Sequence, residues 1–401
     1  MKNKFKFLVV SLFLVITLST ILIIKSNNNI SNNNNEINNI VTSKYNIKDM
    51  SLKEKIGQML IIDYTKDTYD TNLDRIIKTV KPGGFILISD NIKYYDNTIS
   101  LVKSLKQNSN IPMIIAIDEE GGRVQRTILL KDTPVTNVPS MYELGKTNNQ
   151  LLAYQVGVIL AKKVKTLGVN LDFAPVLDIY SNKNNKVIGD RSLSEDKNIV
   201  TNLSISIQKG LEDNNVNTCI KHFPGHGDTE TDSHLDIPII NKTYEELLDN
   251  ELYPFIKSIE NGSKMVMVGH IALPKITTSN VPASLSKEII TDILKNKLNF
   301  KGLVITDALN MKALTNNYTE KEIYINAINA GVDILLMPQN PENAVKYIEE
   351  AIKENKISIN QIDASVEKIL NYKEKYLKDE YLDKSYLSKE EYNTVLCKMK
   401  K

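Results

Sequence analysis

The sequence predicts an α/β chain whose parallel strands close into a (β/α)8 barrel of the TIM type. Three observations carry this. Eight short, β-branched apolar runs recur after Tyr45; a polar loop and an amphipathic helical stretch separate each from the next; and no glycine-rich phosphate loop follows the first run. Strands apolar on both faces and alternating with helices argue for a parallel sheet. Eight such units exceed the roughly 250 residues of a typical barrel, which long loops accommodate. An open doubly wound sheet is the competing arrangement, but it calls for a G-x-G-x-x-G or Walker pattern early in the chain.

The runs are, in order, GQMLIIDY, GGFILIS, PMIIAIDEEGG, VNLDFAPVLDI, VNTCIKHFPG, KMVMVGHIAL, GLVITDAL and GVDILLMP. Between the fifth and sixth, TYEELLDNELYPFIKSIENG reads as one helix with Leu248, Leu252, Phe255, Ile256 and Ile259 on a shared face and Gly262 as its stop. Catalysis in such a barrel belongs where strands end and loops begin. Charged and polar residues collect there: Asp118, Glu119 and Glu120 after the third run, Asp178 after the fourth, Lys221 and His222 after the fifth, His270 after the sixth and Asp307 after the seventh. Each alone reads equally well as a helix cap or a solvated loop residue; five run ends carrying such residues to one rim argue for a site.

The chain has 401 residues, enough for one large core, and its 50 Lys plus Arg nearly balance 48 Asp plus Glu, so charge offers no reason to expect a nucleic-acid partner. Cys219 and Cys397 imply no disulfide framework. Residues 1–25 combine a basic start, an apolar run from Phe7 to Ile24 and a closing lysine, the pattern of a signal peptide or signal anchor. Residues 26–44 are an Asn-rich linker too polar to bury a core. The folded domain is therefore expected over 45–401, outside the membrane, either secreted or held at the outer face by the N-terminal segment.

Lys221–His234, KHFPGHGDTETDSH, holds three of the four histidines. Metal binding fits poorly, because the H-x3-H-x7-H spacing runs across Pro224, Gly225 and Gly227 instead of presenting ligands along one helix face. A nucleophile elbow of the G-x-S-x-G kind is absent. Carboxylate chemistry assisted by an imidazole remains. Asp232 and His234 are two apart, so in an extended loop they project to one side, and a carboxylate there can fix the tautomer of the ring and raise its basicity. Asp307, at the end of a buried run, reads as a nucleophile or as a structural partner for an arginine.

These motifs together resemble the β-N-acetylhexosaminidases of glycoside hydrolase family three, specifically the bacterial β-N-acetylglucosaminidases of cell-wall turnover. KHFPGHGDTETDSH looks like the hallmark of that group, and IDEEGGRVQR (117–126), VIGDRSLS (187–194) and ITDALNMKAL (305–314) match its other motifs in order. The resemblance implies that Asp307 is the nucleophile, His234 the acid/base and Asp232 its orienting partner. It also implies that Asp118, Arg126, Arg191, Lys221 and His222 bind the N-acetylglucosamine ring. The implied reaction is hydrolysis of terminal, non-reducing β-linked N-acetylglucosamine by two displacements with retention, without metal or cofactor. Inorganic phosphate can compete with water where no second anion guards the acceptor side. The implied partner is a carbohydrate, a glycan or muropeptide; no nucleic acid is expected, membrane contact comes only through residues 1–25, and the protein is expected to be a monomer. Two departures accompany the resemblance. Many relatives carry a second α/β domain, so here the barrel is expected to supply the whole site. Glu119 stands where a glutamine is common, which is expected to add negative charge near the sugar. His226 and His270 are assigned to turn or core hydrogen bonding. A β-glucosidase or β-xylosidase of the same family, or a non-catalytic wall-binding barrel, are the alternatives.

Overall fold

The computed structural model describes residues 45–229, 237–277 and 280–400. Ile47–Lys401 form one compact unit. The predicted signal segment and Asn-rich linker lie outside the described residues. No helix among the described residues is long and apolar enough to cross a membrane.

Every predicted apolar run contains a strand: β1 Leu60–Ile62, β2 Gly84–Leu87, β3 Ile114–Ile117, β4 Leu171–Asp172, β5 Ile220–Phe223, β6 Met265–Val268, β7 Leu303–Thr306 and β8 Leu335–Leu336. All of their residues are buried. Branched Ile and Val side chains suit a pleated ribbon covered on both faces, which is why these runs read as continuous rather than alternating apolar sequence. One parallel sheet runs β8–β1–β2–β3–β4 and ends on Asn217–Thr218; a second runs β7–β6–β5. Asn217–Thr218 and β5 are two halves of the fifth run, interrupted only at Cys219, so one stretch of chain borders both sheets. On the other side, Ile305 of β7 makes an isolated parallel bridge to Ile334, the residue before β8. The result is a TIM-barrel-like α/β fold.

Several helices start where the sequence supplies caps. Ser51 and Glu54 form a reciprocal capping box at Leu52–Gln58, as do Thr319 and Glu322 at Glu320–Ala330, and Asp70, Asp196 and Asn340 accept from the first free N–H groups of their helices. The stretch read as one helix over 243–262 is instead two, Tyr244–Asp249 and Tyr253–Glu260. Pro254 has no N–H to continue the first helix but suits the first turn of the second. The break rotates the apolar face: Leu247, not Leu248, is buried, along with Leu252 and Phe255, while Ile256 and Ile259 stay partly exposed. Gly262 does sit in the left-handed turn after the helix, with φ +89°.

The segment after the last long helix, Ile359–Tyr376, folds back onto earlier parts of the chain. Leu382 N–H donates to Lys165 O at 3.2 Å, Thr136 N–H to Leu387 O at 2.8 Å, and helix Glu390–Leu396 packs on helix Gln150–Lys165.

Lys373 in Ile359–Tyr376 is buried, and its Nζ donates to Gln58 Oε1 at 2.7 Å, a neutral partner. Burial pushes its ammonium down to about 7. The unfolded chain keeps that proton up to about pH 10. Between these values the unfolded state binds more protons, so stability rises with pH and the cost of burying this lysine fades. Replacing Lys373 with Met, of similar volume, is expected to raise the unfolding free energy at pH 7, and the advantage should shrink steadily toward pH 10. Denaturant unfolding across that range checks this; an advantage independent of pH would contradict it.

Candidate active site

The strand ends deliver their polar residues to one cavity of about 450 Å³, a volume suited to a small ligand. Asp118 follows β3, Lys221 and His222 lie on β5, Asp307 follows β7, Arg126 follows a short hairpin (Glu119–Gly121 with Val124–Gln125), and Arg191 ends the turn Gly189–Arg191. All six line the cavity, together with Glu120 and Arg123.

A compact charge network forms one wall. Lys221 Nζ lies 2.7 Å from Asp118 Oδ1 and 2.6 Å from Glu120 Oε1. Arg191 grips Glu120 with both prongs, Nε to Oε2 at 2.8 Å and Nη2 to Oε1 at 2.7 Å. Planar bidentate pairing of this kind is the strongest geometry available to a guanidinium and a carboxylate. Burial alone would raise the Glu120 carboxyl, but Arg191 and Lys221 hold it far below the usual carboxylate range. Burial likewise opposes the charge on Lys221, and Asp118 and Glu120 reverse that and raise it. Asp118 is more open than Glu120, and its second oxygen lies 3.9 Å from Arg126. It is therefore placed to accept from hydroxyls of a ligand, while Lys221, Arg126 and Arg191 can donate.

His222 is fixed from behind. Its Nδ1 lies 2.7 Å from Asp178 Oδ2, and Asp178 Oδ1 accepts the backbone N–H groups of His222 at 3.2 Å and His226 at 2.6 Å. Burial would raise the Asp178 carboxyl, yet His222 beside it carries it below its ordinary value. An ionised carboxylate only accepts, so Nδ1 carries the hydrogen and Nε2 is left to the cavity, 3.5 Å from Arg191 Nη2.

Asp307 accepts the N–H of Ala308 at 2.7 Å. Burial works against its charge, but His222, His270, this backbone N–H and Lys221 together hold its carboxyl below the ordinary value. It is thus an ionised carboxylate at neutral pH, as a nucleophile must be. His270 is buried, with Nδ1 2.7 Å from Ser284 Oγ and Nε2 3.0 Å from Ala308 O. A carbonyl only accepts, so Nε2–H donates and braces the carbonyl of Ala308, the residue after Asp307. His226 is also buried, with Nδ1 2.8 Å from Thr229 Oγ1, and burial pushes its imidazole down to about 4. Both histidines hydrogen-bond within the fold, and His226 also lines the cavity.

Glu119 corrects an expectation. It does not add charge near the ligand: its carboxylate is fully buried on the other side of the hairpin, 2.9 Å from Lys163 Nζ and accepting from Arg126 N–H at 2.8 Å and Thr127 N–H at 3.0 Å. Successive side chains of an extended strand point to opposite faces, so Glu120 enters the cavity and Glu119 cannot.

Asp232 and His234 lie outside the described residues. The chain leading to them is anchored at the cavity: Asn185 Nδ2 donates to His226 O at 2.7 Å, and a Cβ at Gly227 would sit 1.6 Å from Ile179 O, so only glycine allows this approach. Three residues emerge that were not assigned to the site from sequence. Glu120 and Asp178 were placed at the rim, but their partners are 101 and 44 residues away in the cases of Lys221 and His222. Arg123 pins the turn that carries Arg191, reaching Asp190 at 2.9 Å and the carbonyls of Lys186, Val187 and Ile188. Its only sequence signal is a basic residue after paired glycines.

Residues 51–372 match the glycosyl hydrolase family 3 N-terminal domain. The chain belongs to this family. It is 31% identical over 367 residues to β-hexosaminidase A of Pseudoalteromonas piscicida, covering 81% of this chain and 61% of that protein. A β-hexosaminidase of Tolumonas auensis is 34% identical over 295 residues, 72% of this chain and 85% of that one. Among solved structures, a family 3 β-N-acetylglucosaminidase from Paenibacillus sp. strain FPU-7 superposes with a TM-score of 0.81 at 31% identity, covering 87% of this chain and 68% of that one. The chain thus spans about three fifths of the length of the Pseudoalteromonas relative.

Replacing Glu120 with Gln leaves Lys221 and Arg191 short of one buried negative charge. Removing one partner from a buried ionic cluster is expected to destabilise by about 3 kcal/mol. Guanidinium unfolding measures this, and an unchanged midpoint would contradict the network's role.

Proposed function

We propose that this protein is a retaining β-N-acetylhexosaminidase that releases terminal, non-reducing β-linked N-acetylglucosamine, with peptidoglycan fragments as its substrate. The observation that carries the reading is the meeting of an ionised Asp307 with the polar groups of Asp118, Arg126, Arg191, Lys221 and His222 around one small cavity. The β-hexosaminidase relatives support the choice of an N-acetylated sugar.

In this reading the eight strands close into one barrel. The shared fifth run and the Ile305–Ile334 bridge support that closure, since they put a neighbour on each side of both sheets. Asp118 accepts from vicinal hydroxyls, and Lys221 and Arg191 donate to oxygens of the ring substituents. The anomeric carbon rests against Asp307, whose oxygen attacks it while His234, oriented by Asp232, protonates the departing oxygen. His234 then takes a proton from water, which hydrolyses the glycosyl-enzyme. An imidazole with an ordinary value near 6.5 can hold and release a proton around neutral pH. No cofactor takes part. Residues 1–25 would deliver the enzyme across the membrane or tether it there, which suits a wall substrate.

A chromogenic panel tests the sugar: β-N-acetylglucosaminide is expected to be turned over, and turnover of β-glucoside or β-xyloside alone would contradict the reading. Asp307→Ala should lose at least a thousandfold in kcat. His234→Ala should lose far less on an activated aryl glycoside than on a poor leaving group, because the former needs little protonation. Equal losses on both would remove His234 as the acid.

A further inference from the structure

Six non-glycine residues among those described have positive φ. Five of them, Lys81, Asn148, Asn215, Asn299 and Asn355, stand within three residues of a helix C-terminus, where a left-handed residue closes the last turn. Four of these are asparagines, the residue after glycine that tolerates this conformation best. Met337 is the exception: with φ +49° it follows a strand, β8, and it lines the active-site cavity. Its N–H donates to Ile61 O at 2.8 Å, so the backbone is held there by the sheet. A long side chain in a conformation that costs free energy, at a cavity wall, is a reason to look for what the side chain does.

The cavity has two unlike halves. Its charged groups come from β3 and its hairpin, the Gly189–Arg191 turn and β5, whereas Ile86 and Ile88 at the end of β2, Met311 after β7, and Leu336 and Met337 at β8 form an apolar half. Asp307 and Ala308 follow β7, which the Ile305–Ile334 bridge sets beside β8, and both line the cavity. A pyranose that places its hydroxyls on the charged half and its anomeric carbon at Asp307 must direct whatever is bonded to that carbon toward the apolar half. We propose that Met337 is a specificity-determining residue whose side chain, with Met311, forms the wall against which the leaving group packs. This rests on the hexosaminidase reading above. The C–H face of a second pyranose or an aryl ring is apolar, and a flexible thioether adapts to either. The left-handed backbone at residue 337 is the conformation that brings this side chain to the leaving group.

The test uses Met337→Gly and Met337→Asn, both of which keep the left-handed backbone and remove the apolar wall. Three readings are taken: KM for the N-acetylglucosamine disaccharide and for its 4-nitrophenyl glycoside, the inhibition constant of free N-acetylglucosamine, and the melting temperature. Both KM values are expected to rise roughly 5- to 20-fold. The inhibition constant for the free sugar should stay within about twofold, and the melting temperature should change little, because relief of the left-handed strain opposes the greater entropy of the unfolded variant chain. Unchanged KM values, or a free-sugar constant that weakens in parallel with them, would overturn the inference. A parent enzyme that turns over neither substrate overturns the hexosaminidase reading and this inference with it; an active parent whose variants behave like it overturns this inference alone.

Discussion

The Lys221 ammonium, buried between the carboxylates of Asp118 and Glu120, is the interaction on which the site depends. A lone charge at that depth is too costly to keep, so the surrounding elements must deliver counter-charges at fixed distances. That requirement ties together three segments far apart in sequence: the hairpin after β3, β5 and the Gly189–Arg191 turn. Glu120 answers both Lys221 and Arg191, which leaves Asp118 as the more open carboxylate. The same network puts positive charge near Asp307 and helps keep it ionised. Structural pairing and the ionisation of Asp307 are therefore one arrangement of charge.

The histidines divide along similar lines. His222 is held by Asp178 with one ring nitrogen turned to the cavity, His270 braces the carbonyl of Ala308, and His226 is held beside Thr229. Burial makes His226 a poor proton carrier at neutral pH. The proposed mechanism assigns acid/base duty to His234, which lies outside the described residues. The anchoring of the segment after β5 through His226 O and the close packing at Gly227 set where its described end enters the rim.

Much of this was legible in the sequence, for identifiable reasons. Strands covered on both faces need unbroken apolar runs, so all eight could be read without a partner in view. Their ends marked the rim, and six of the eight candidate residues do meet in one cavity. What failed to show was direction and distance. Three acidic residues in a row, 118 to 120, do not reveal that pleat alternation sends Glu119 to Lys163 and Glu120 to Arg191. Apolar spacing over 243–262 suggested one helix because periodicity weighs side chains, whereas Pro254 acts through a missing backbone N–H. Nor does a methionine before a proline announce a left-handed backbone; the sheet around β8 imposes it.

The central claim is that Asp307 forms a covalent bond to the sugar. It is tested most directly by mass spectrometry of the protein quenched during reaction with a fluorinated N-acetylglucosaminide whose glycosyl-enzyme breaks down slowly. The account predicts one added glycosyl group per chain, located by peptide fragmentation on Asp307. A glycosyl group found on another carboxylate, such as Asp118 or Glu120, would contradict it, as would steady turnover with no adduct at all.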